Sequence, residues 1–201
     1  MRKTKFNLRR NMQGFTLIEM LMAVFVFMIL FLIASSFVNL AAGSTKSART
    51  KILTNDVRSA SDIISEKINN ANQKVAVGTD TIYGLKVKNN ILGIATTTGS
   101  GTRCTFFGEN GDSLSMLEGS CPSSWPVASG LTKKLTGSSV KITGLTFTLA
   151  NEVTPTSTTS PYLKIVVNAE DADAKYASDN QINLQTSYTI DYQTIKRLQA
   201  Q

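Results

Sequence analysis

The 201-residue chain has a formal net charge of +7 at pH 7, 42% apolar residues, two cysteines and no histidine. The absence of histidine excludes the usual catalytic triads and histidine-ligated metal centres, so we expect neither enzymatic activity nor a cofactor. Five of the positive charges lie in the first ten residues and the remainder carries only about +2, so the high net charge does not by itself indicate nucleic-acid binding.

The chain begins with a basic segment and continues with a long apolar run. Residues 20–34, MLMAVFVFMILFLIA, are apolar throughout, and no Asp, Glu, Lys or Arg occurs from 20 to 45. At about 1.5 Å per residue a helix of this length spans a hydrocarbon core of about 30 Å. Because basic segments stay in the cytoplasm, we expect a single-pass protein of the cytoplasmic membrane whose C-terminal part is exported.

A glycine, Gly14, and a carboxylate, Glu19, lie at the start of this run. A secretory signal has a shorter apolar core with its small-residue cleavage site behind it, whereas Gly14 comes before the apolar run. A cut after Gly14 would remove the basic leader and keep the helix. A carboxylate in lipid usually marks a functional pairing, although an acid at a helix N-terminus is also favoured by the helix dipole.

The stretch GFTLIEM resembles the prepilin signal of type IV pilins and type II secretion pseudopilins. The resemblance implies that a prepilin peptidase cleaves after Gly14 and methylates Phe15, and that Glu19 meets the Phe15 amine of a neighbouring subunit. It also implies storage in membrane lipid, an inner-membrane assembly platform and a cell-surface or periplasmic filament shared with other pilins. Many major pilins carry a proline where this chain has Ser36, which favours a minor pilin or pseudopilin.

Helical periodicity continues beyond the apolar run. Apolar residues recur in steps of three and four at Ala48, Ile52, Leu53, Val57, Ala60, Ile64, Ile68 and Ala71. We therefore expect one helix from about Thr16 to Gln73, apolar all round in its membrane half and amphipathic beyond it. The expected domains are a leader at 1–14, a transmembrane helix at 15–42, an amphipathic helical segment at 43–76 and a globular head at 77–201.

After Val77 the pattern changes to strand-like alternation. The stretch TIYGLKVKNNILGIATTTG predicts two strands joined by Asn89 and Asn90, which tolerate a left-handed turn. Further strands are predicted in CTFFG, DSLSML, SSVKITGLTFTLA, PYLKIVVNAE and QINLQTSYTIDYQTI. The expected fold class is α+β, with a long helix packed on a strand-rich head, and the order of the strands resembles J-type pseudopilins and W-type minor pilins.

The cysteines and the single tryptophan are expected to be structural. Cys104 and Cys121 enclose a predicted hairpin about residues 108–112, and an exported domain is oxidised, so a disulfide is the expected state. Trp125 follows this hairpin, and burial over it is preferred to a surface contact because an indole removes a large area from water.

Weaker patterns in the head leave alternatives open. Asp171, Asp173 and Asp179 lie in one loop with oxygen ligands suited to calcium, but the spacing is not that of an EF-hand, and a solvated turn is preferred. The pair Ser138 and Lys141 matches S-x-x-K, yet it opens a strand where the motif needs a helix. Lysines that alternate with apolar residues are typical of solvent-facing strand positions, but they also offer a possible DNA-binding face: Lys86, Lys88, Lys133, Lys134 and Lys141.

Together these features predict a structural subunit of a type IV pilus-like filament. Two alternatives remain open. The head of a tip adhesin or DNA-uptake pilin would itself bind a surface or DNA, and that binding to DNA would fall steeply with salt. A membrane-anchored exported domain that never assembles would not depend on Glu19.

Overall fold

The computed structural model describes residues 16–99, 101–152, 159–190, 196–198 and 200, without the side chains of 41 and 42. Within these residues a long α-helix, α1 (Leu17–Asn69), precedes all of the β-strands, and residues 196–198 and 200 are also helical. The chain divides into two compact units, Met1–Thr45 and Lys46–Gln201, and α1 contributes to both. The architecture is the expected α+β class, with a long N-terminal helix followed by antiparallel sheets.

The first unit contains the apolar half of α1. The described side chains from Leu17 to Leu40 are exposed except for Ser35, which is partly exposed, and the helix is long and apolar enough to cross a membrane. Two hydroxyls interrupt the apolar surface. Ser35 Oγ and Ser36 Oγ each donate to the carbonyl of Leu32 at 2.9 Å. Because both bond within the helix, neither hydroxyl has to be solvated in lipid.

In the second unit, one face of α1 is buried against the sheets. Its buried apolar residues are Leu53, Val57, Ala60, Ile64 and Ile68. The predicted stripe is wrong at its beginning, because Ala48 is exposed and Ile52 is 50% exposed. Successive helical residues lie about 100° apart, so the helix cannot turn both Ile52 and Leu53 toward the sheets.

The helix ends at Asn69, whereas the sequence predicted helical structure to about Gln73 and assigned the segment to 76. Two interactions explain the earlier end. The Asn70 side chain donates to the Glu66 carbonyl at 3.0 Å, and the Asn72 N–H donates to Ala95 in the sheet at 3.2 Å. The backbone is therefore already bonded to the sheet before the first strand begins at Lys74.

The larger sheet is an antiparallel meander in which each strand pairs with the next along the chain. Its strands are β1 (Lys74–Val77), β2 (Asp80–Tyr83), β3 (Leu85–Lys88), β4 (Ile91–Thr98), β5 (Gly101–Asn110), β6 (Ser113–Ser120) and β7 (Lys133–Lys134). The predicted turn at Asn89 and Asn90 is confirmed, since these residues join β3 to β4 with φ of 53° and 58°. The strand predicted before this turn is broken at Gly84, whose φ is +74°.

The smaller sheet has three antiparallel strands in the order β10, β9, β8. They are β8 (Val140–Ala150), β9 (Tyr162–Asp171) and β10 (Gln181–Thr189), and a bulge between Ile142 and Gly144 shifts the register of β8 against β9. The last predicted strand ran to Ile195, but residues 191–195 lie outside the described part of the chain.

The main hydrophobic core lies between the inner face of α1 and both sheets. The smaller sheet contributes alternate residues of β9, Leu163, Ile165 and Val167, and the larger sheet contributes residues such as Leu92 and Phe107. A second buried cluster forms on the larger sheet around Ile82, Ile91, Cys104, Phe106 and Leu131. Burial in the main core explains the single apolar stripe on the helix, and burial in both clusters explains the alternation in the strands of the head.

Cys104 and Cys121 form a disulfide, with their Cα atoms 4.8 Å apart. The β5–β6 hairpin brings them together, because Cys104 pairs with Gly119 and the chain turns between Asn110 and Ser113. Trp125 is half-buried rather than fully buried. Its ring packs edge-on against Phe106 at 5.3 Å between centroids.

Removing this disulfide should destabilise the head. For a sequence separation of 17, the chain-entropy model predicts a loss of about 3 kcal/mol of unfolding free energy in the Cys104→Ser, Cys121→Ser double variant. Urea unfolding of the full chain in detergent measures the change, with reduced wild-type protein as the matched control. An unchanged urea midpoint in both the double variant and the reduced wild-type protein would show that the disulfide does not stabilise the head by restricting the unfolded chain.

Candidate functional site

The N-terminal end of α1 is built around Thr16 and Glu19. Thr16 is the residue before the helix, and its carbonyl accepts a hydrogen bond from the N–H of Met20 at 3.2 Å. The Glu19 N–H donates to Thr16 Oγ1 at 3.3 Å, while the Thr16 N–H donates to Glu19 Oε2 at 3.3 Å. These reciprocal bonds form a capping box, which satisfies backbone donors that the helix itself leaves unpaired.

The capping box also holds the carboxylate of Glu19 at the positive end of the helix dipole. The Thr16 hydroxyl donates to Glu19 Oε2 at 3.2 Å, so the described bonds to this carboxylate converge on one oxygen. The other predicted members of the site, Gly14 and Phe15, lie outside the described residues. Thr16 was not among the predicted site residues, although the spacing T-x-x-E is a readable signature of such a cap.

A second polar cluster joins the outer half of α1 to the acidic loop of the head. Arg49 Nη1 lies 3.1 Å from Asp171 Oδ2 and 3.7 Å from Asp173 Oδ2, and its guanidinium carbon lies 3.9 Å from the Tyr176 ring centroid. Thr50 Oγ1 donates to Asn180 Oδ1 at 3.1 Å. These contacts fasten the loop after β9 to the helix.

The three calcium candidates are used differently in the structure. Asp171 is buried against Arg49, and Asp179 lies 3.9 Å from Lys46 Nζ. In the described part of the chain, no three acidic, cysteine or histidine residues are grouped so that they could hold a metal. Helix residues far away in sequence therefore supply positive charge to the carboxylates of this loop.

Lysines of the possible DNA-binding face form ion pairs with carboxylates. Lys86 Nζ lies 3.3 Å from Asp80 and 3.2 Å from Glu152, and Lys88 also pairs with Asp80. Lys133 and Lys134 are exposed in β7. Much of the positive charge of this face is therefore matched by neighbouring carboxylates, which weakens attraction to phosphate.

Lys141 is unsuited to the serine–lysine chemistry that the S-x-x-K pattern suggested. Its Nζ lies 3.0 Å from Glu170 Oε1, and this hydrogen bond, with the attraction of the carboxylate, raises the pKa of Lys141. A lysine that acts as a base near neutral pH needs a lowered pKa. The ion pair therefore favours the protonated, structural form of Lys141.

The Asp171 cluster predicts a specific dependence of stability on pH. The N–H of Asp173 and the guanidinium of Arg49 lower the pKa of Asp171, although burial acts in the opposite direction. The carboxyl group of Asp171 therefore holds its proton less tightly in the folded state than in the unfolded state. The stabilisation that Asp171 contributes is fully present above about pH 5 and is lost as the pH falls through the lowered pKa.

We expect acid to destabilise Asp171→Asn less steeply than wild type, each compared with its own stability at pH 7. Urea midpoints of the full chain at several pH values between about 2 and 7 measure this difference. Arg49→Gln is the matched variant, since it keeps the carboxyl group but removes one cause of the lowered pKa. Acid dependence identical to that of wild type in both variants would contradict the assignment.

The capped acid at the start of an apolar helix and the antiparallel strands that follow it along the chain are the features of a pilin-like fold. A comparison with family models agrees, because residues 9–35 match the prokaryotic N-terminal methylation motif. This match supports a likeness to the type IV pilin and pseudopilin superfamily, and the motif implies processing by prepilin peptidase and assembly with other pilins. Searches of curated proteins and of solved structures found no match.

Proposed function

We propose that the chain is a minor pilin or pseudopilin, a structural subunit of a type IV pilus-like filament. The observation that carries the proposal is the position of Glu19, which lies in a capping box where the matched methylation motif meets a helix able to cross a membrane. In this proposal prepilin peptidase cuts after Gly14 and methylates Phe15. The strand order predicted for the head resembles that of J-type pseudopilins and W-type minor pilins, and we propose a subunit of this kind.

The proposed assembly step pairs charges between subunits. The methylated amine of Phe15 stays cationic, so its approach to Glu19 of a neighbour offsets the cost of removing both charges from water. Helix segment 15–42 then forms the filament core. The role requires no catalytic group, because the peptidase and the inner-membrane platform perform the chemistry and the transport.

The proposed topology has a cytoplasmic N-terminus and an exported head. The basic leader at 1–14 supports this orientation by the positive-inside rule, and the Cys104–Cys121 disulfide suits an oxidising compartment. The remaining proposed divisions are 43–76, which contains the outer half of the helix and all of the first strand except Val77, and the head at 77–201. DNA uptake receives less support because the lysines on β3 are paired with acids.

The proposal is tested by the intact mass and N-terminal sequence of the chain recovered from cells that carry the assembly machinery. We expect a chain that begins at N-methylated Phe15. Cells that lack the prepilin peptidase serve as the control and should yield a chain that begins at Met1. A chain that begins at Met1 in both strains, or near Ser44 after a cut behind the apolar run, would contradict the proposal.

A further inference from the structure

Among the strands that the structure describes, β10 has the most open outer edge. β10 is the first strand in the order of the smaller sheet, and its pairing with β9 runs without interruption from Gln181 opposite Glu170 to Thr189 opposite Tyr162. Within the described residues, no strand pairs with its other side. This edge therefore presents a row of backbone donors and acceptors to the surroundings.

The hydrogen bonds at the two ends of β10 show which residues point outward. The Asp171 N–H donates to the Asn180 carbonyl at 3.1 Å, and the Ile190 N–H donates to the Pro161 carbonyl at 3.3 Å. Antiparallel pairing alternates between bonded and non-bonded pairs, so even-numbered residues of β10 bond to β9. The outward backbone groups belong to Gln181, Asn183, Gln185, Ser187 and Thr189, whose side chains are also exposed and uncharged.

The other strand edges carry features that oppose pairing. On β8, the Asn90 side chain donates to the Leu145 carbonyl and accepts from the Phe147 N–H, and the Asp112 carbonyl accepts from Ile142. At the ends of the larger sheet, β1 has four residues and begins with a lysine, while β7 consists of two lysines. Proteins commonly prevent edge pairing with short strands, with lysine side chains or by covering the backbone groups of the edge. In contrast, β10 has nine residues without charge, proline or a register shift.

The inner face of β10 shows what an added strand would cover. Ile182, Leu184 and Tyr188 pack against the main core but remain only partly buried. A strand beside β10 would place alternate side chains next to them and remove this apolar surface from water. A segment that alternates apolar and uncharged polar residues fits both faces of the extended sheet.

We propose that the outer edge of β10 receives an extended segment of a neighbouring pilin subunit as a fourth strand of the smaller sheet. Backbone groups in this spacing match another polypeptide backbone, and the uncharged edge gives no attraction to phosphate or to lipid head groups. The inference rests on the proposed function, because filament assembly is what brings a neighbouring pilin to this edge. It adds the surface of the head through which that neighbour is bound.

The test is site-resolved hydrogen exchange of the full chain, first in the membrane before assembly and then in isolated filaments. In the membrane form, the outward amides of Asn183, Gln185 and Ser187 should exchange quickly, whereas those of Leu184 and Thr186 should be protected. Assembly should slow the outward amides by at least about tenfold, since each gains a backbone hydrogen bond. The inward amides report that β10 is folded in both states.

Two substitutions at one position supply the matched pair. Gln185→Pro removes an outward N–H without removing a bond to β9, and Gln185→Ala keeps the N–H while removing the side chain. We expect Gln185→Pro to lower the amount of the chain in filaments at least about tenfold, and we expect Gln185→Ala to leave this amount unchanged. Protection of Leu184 and Thr186 in the Pro variant shows that any loss does not come from misfolding of the strand.

The outcomes separate this inference from the proposed function. If the chain enters filaments while its outward amides exchange as quickly as before, the edge is not used, and the pilin assignment stands. If the outward amides are already protected before assembly, the chain itself or a second copy covers the edge, and the inference is wrong. If the chain never enters filaments, both the inference and the proposed function fail.

Discussion

Glu19→Ala is expected to abolish incorporation of the chain into filaments while leaving it in the membrane. The substitution removes the proposed partner of the Phe15 amine, which would then remain cationic and uncompensated among packed helices. Breaking a buried ion pair in this way costs about 3 kcal/mol or more, which corresponds to a loss of at least about 100-fold. Insertion in lipid should not suffer, since the variant has one fewer charge to desolvate. Immunoblots of sheared filaments and of membranes measure both quantities.

Glu19→Gln separates charge pairing from helix capping. Glutamine can take the place of glutamate in a capping box, so the bonds with Thr16 can be kept without the negative charge. If pairing with an amine is the role of Glu19, the Gln variant should fail to assemble almost as completely as Ala. Wild-type amounts of Gln variant in filaments would instead show that capping of the helix is its contribution.

The sequence predicted the parts of the fold that depend on local chemistry or on a regular burial pattern. The β3–β4 turn was readable because Asn89 and Asn90 accept positive φ at small cost. The buried face of the helix was readable from Leu53 to Ile68, where packing repeats with the helical period. The prediction failed at the beginning of this stripe, because Ala48 and Ile52 are exposed.

Features that join distant parts of the chain could not be predicted in the same way. Arg49 and Asp171 are 122 residues apart, and no local pattern connects them. The short strands β1 and β7 exist because neighbouring strands supply their hydrogen bonds, and their own sequences have no clear alternation. By contrast, the capping box of Thr16 and Glu19 spans only one helical turn and was present in the sequence as T-x-x-E.

Gly14→Val is expected to leave the leader attached and to prevent assembly. A bulky residue replaces the small one before the expected cut, so the peptidase should no longer cleave there. The uncut chain keeps five positive charges at its N-terminus, and the backbone nitrogen of Phe15 remains an uncharged amide. Charges of this kind cost about 3 kcal/mol each in the centre of a bilayer, so the leader cannot enter an apolar filament core.

Intact mass of the membrane-bound chain and the amount of chain in filaments measure the effect of Gly14→Val. Asn11→Val is the matched control, because it adds the same side chain within the leader but away from the expected cut. This control should be cleaved and assembled as wild type. Cleavage of Gly14→Val at Phe15 with normal assembly would show that a small residue is not required there. Cleavage at another residue would place the free amine out of register with Glu19, and we would then expect the chain to remain in the membrane.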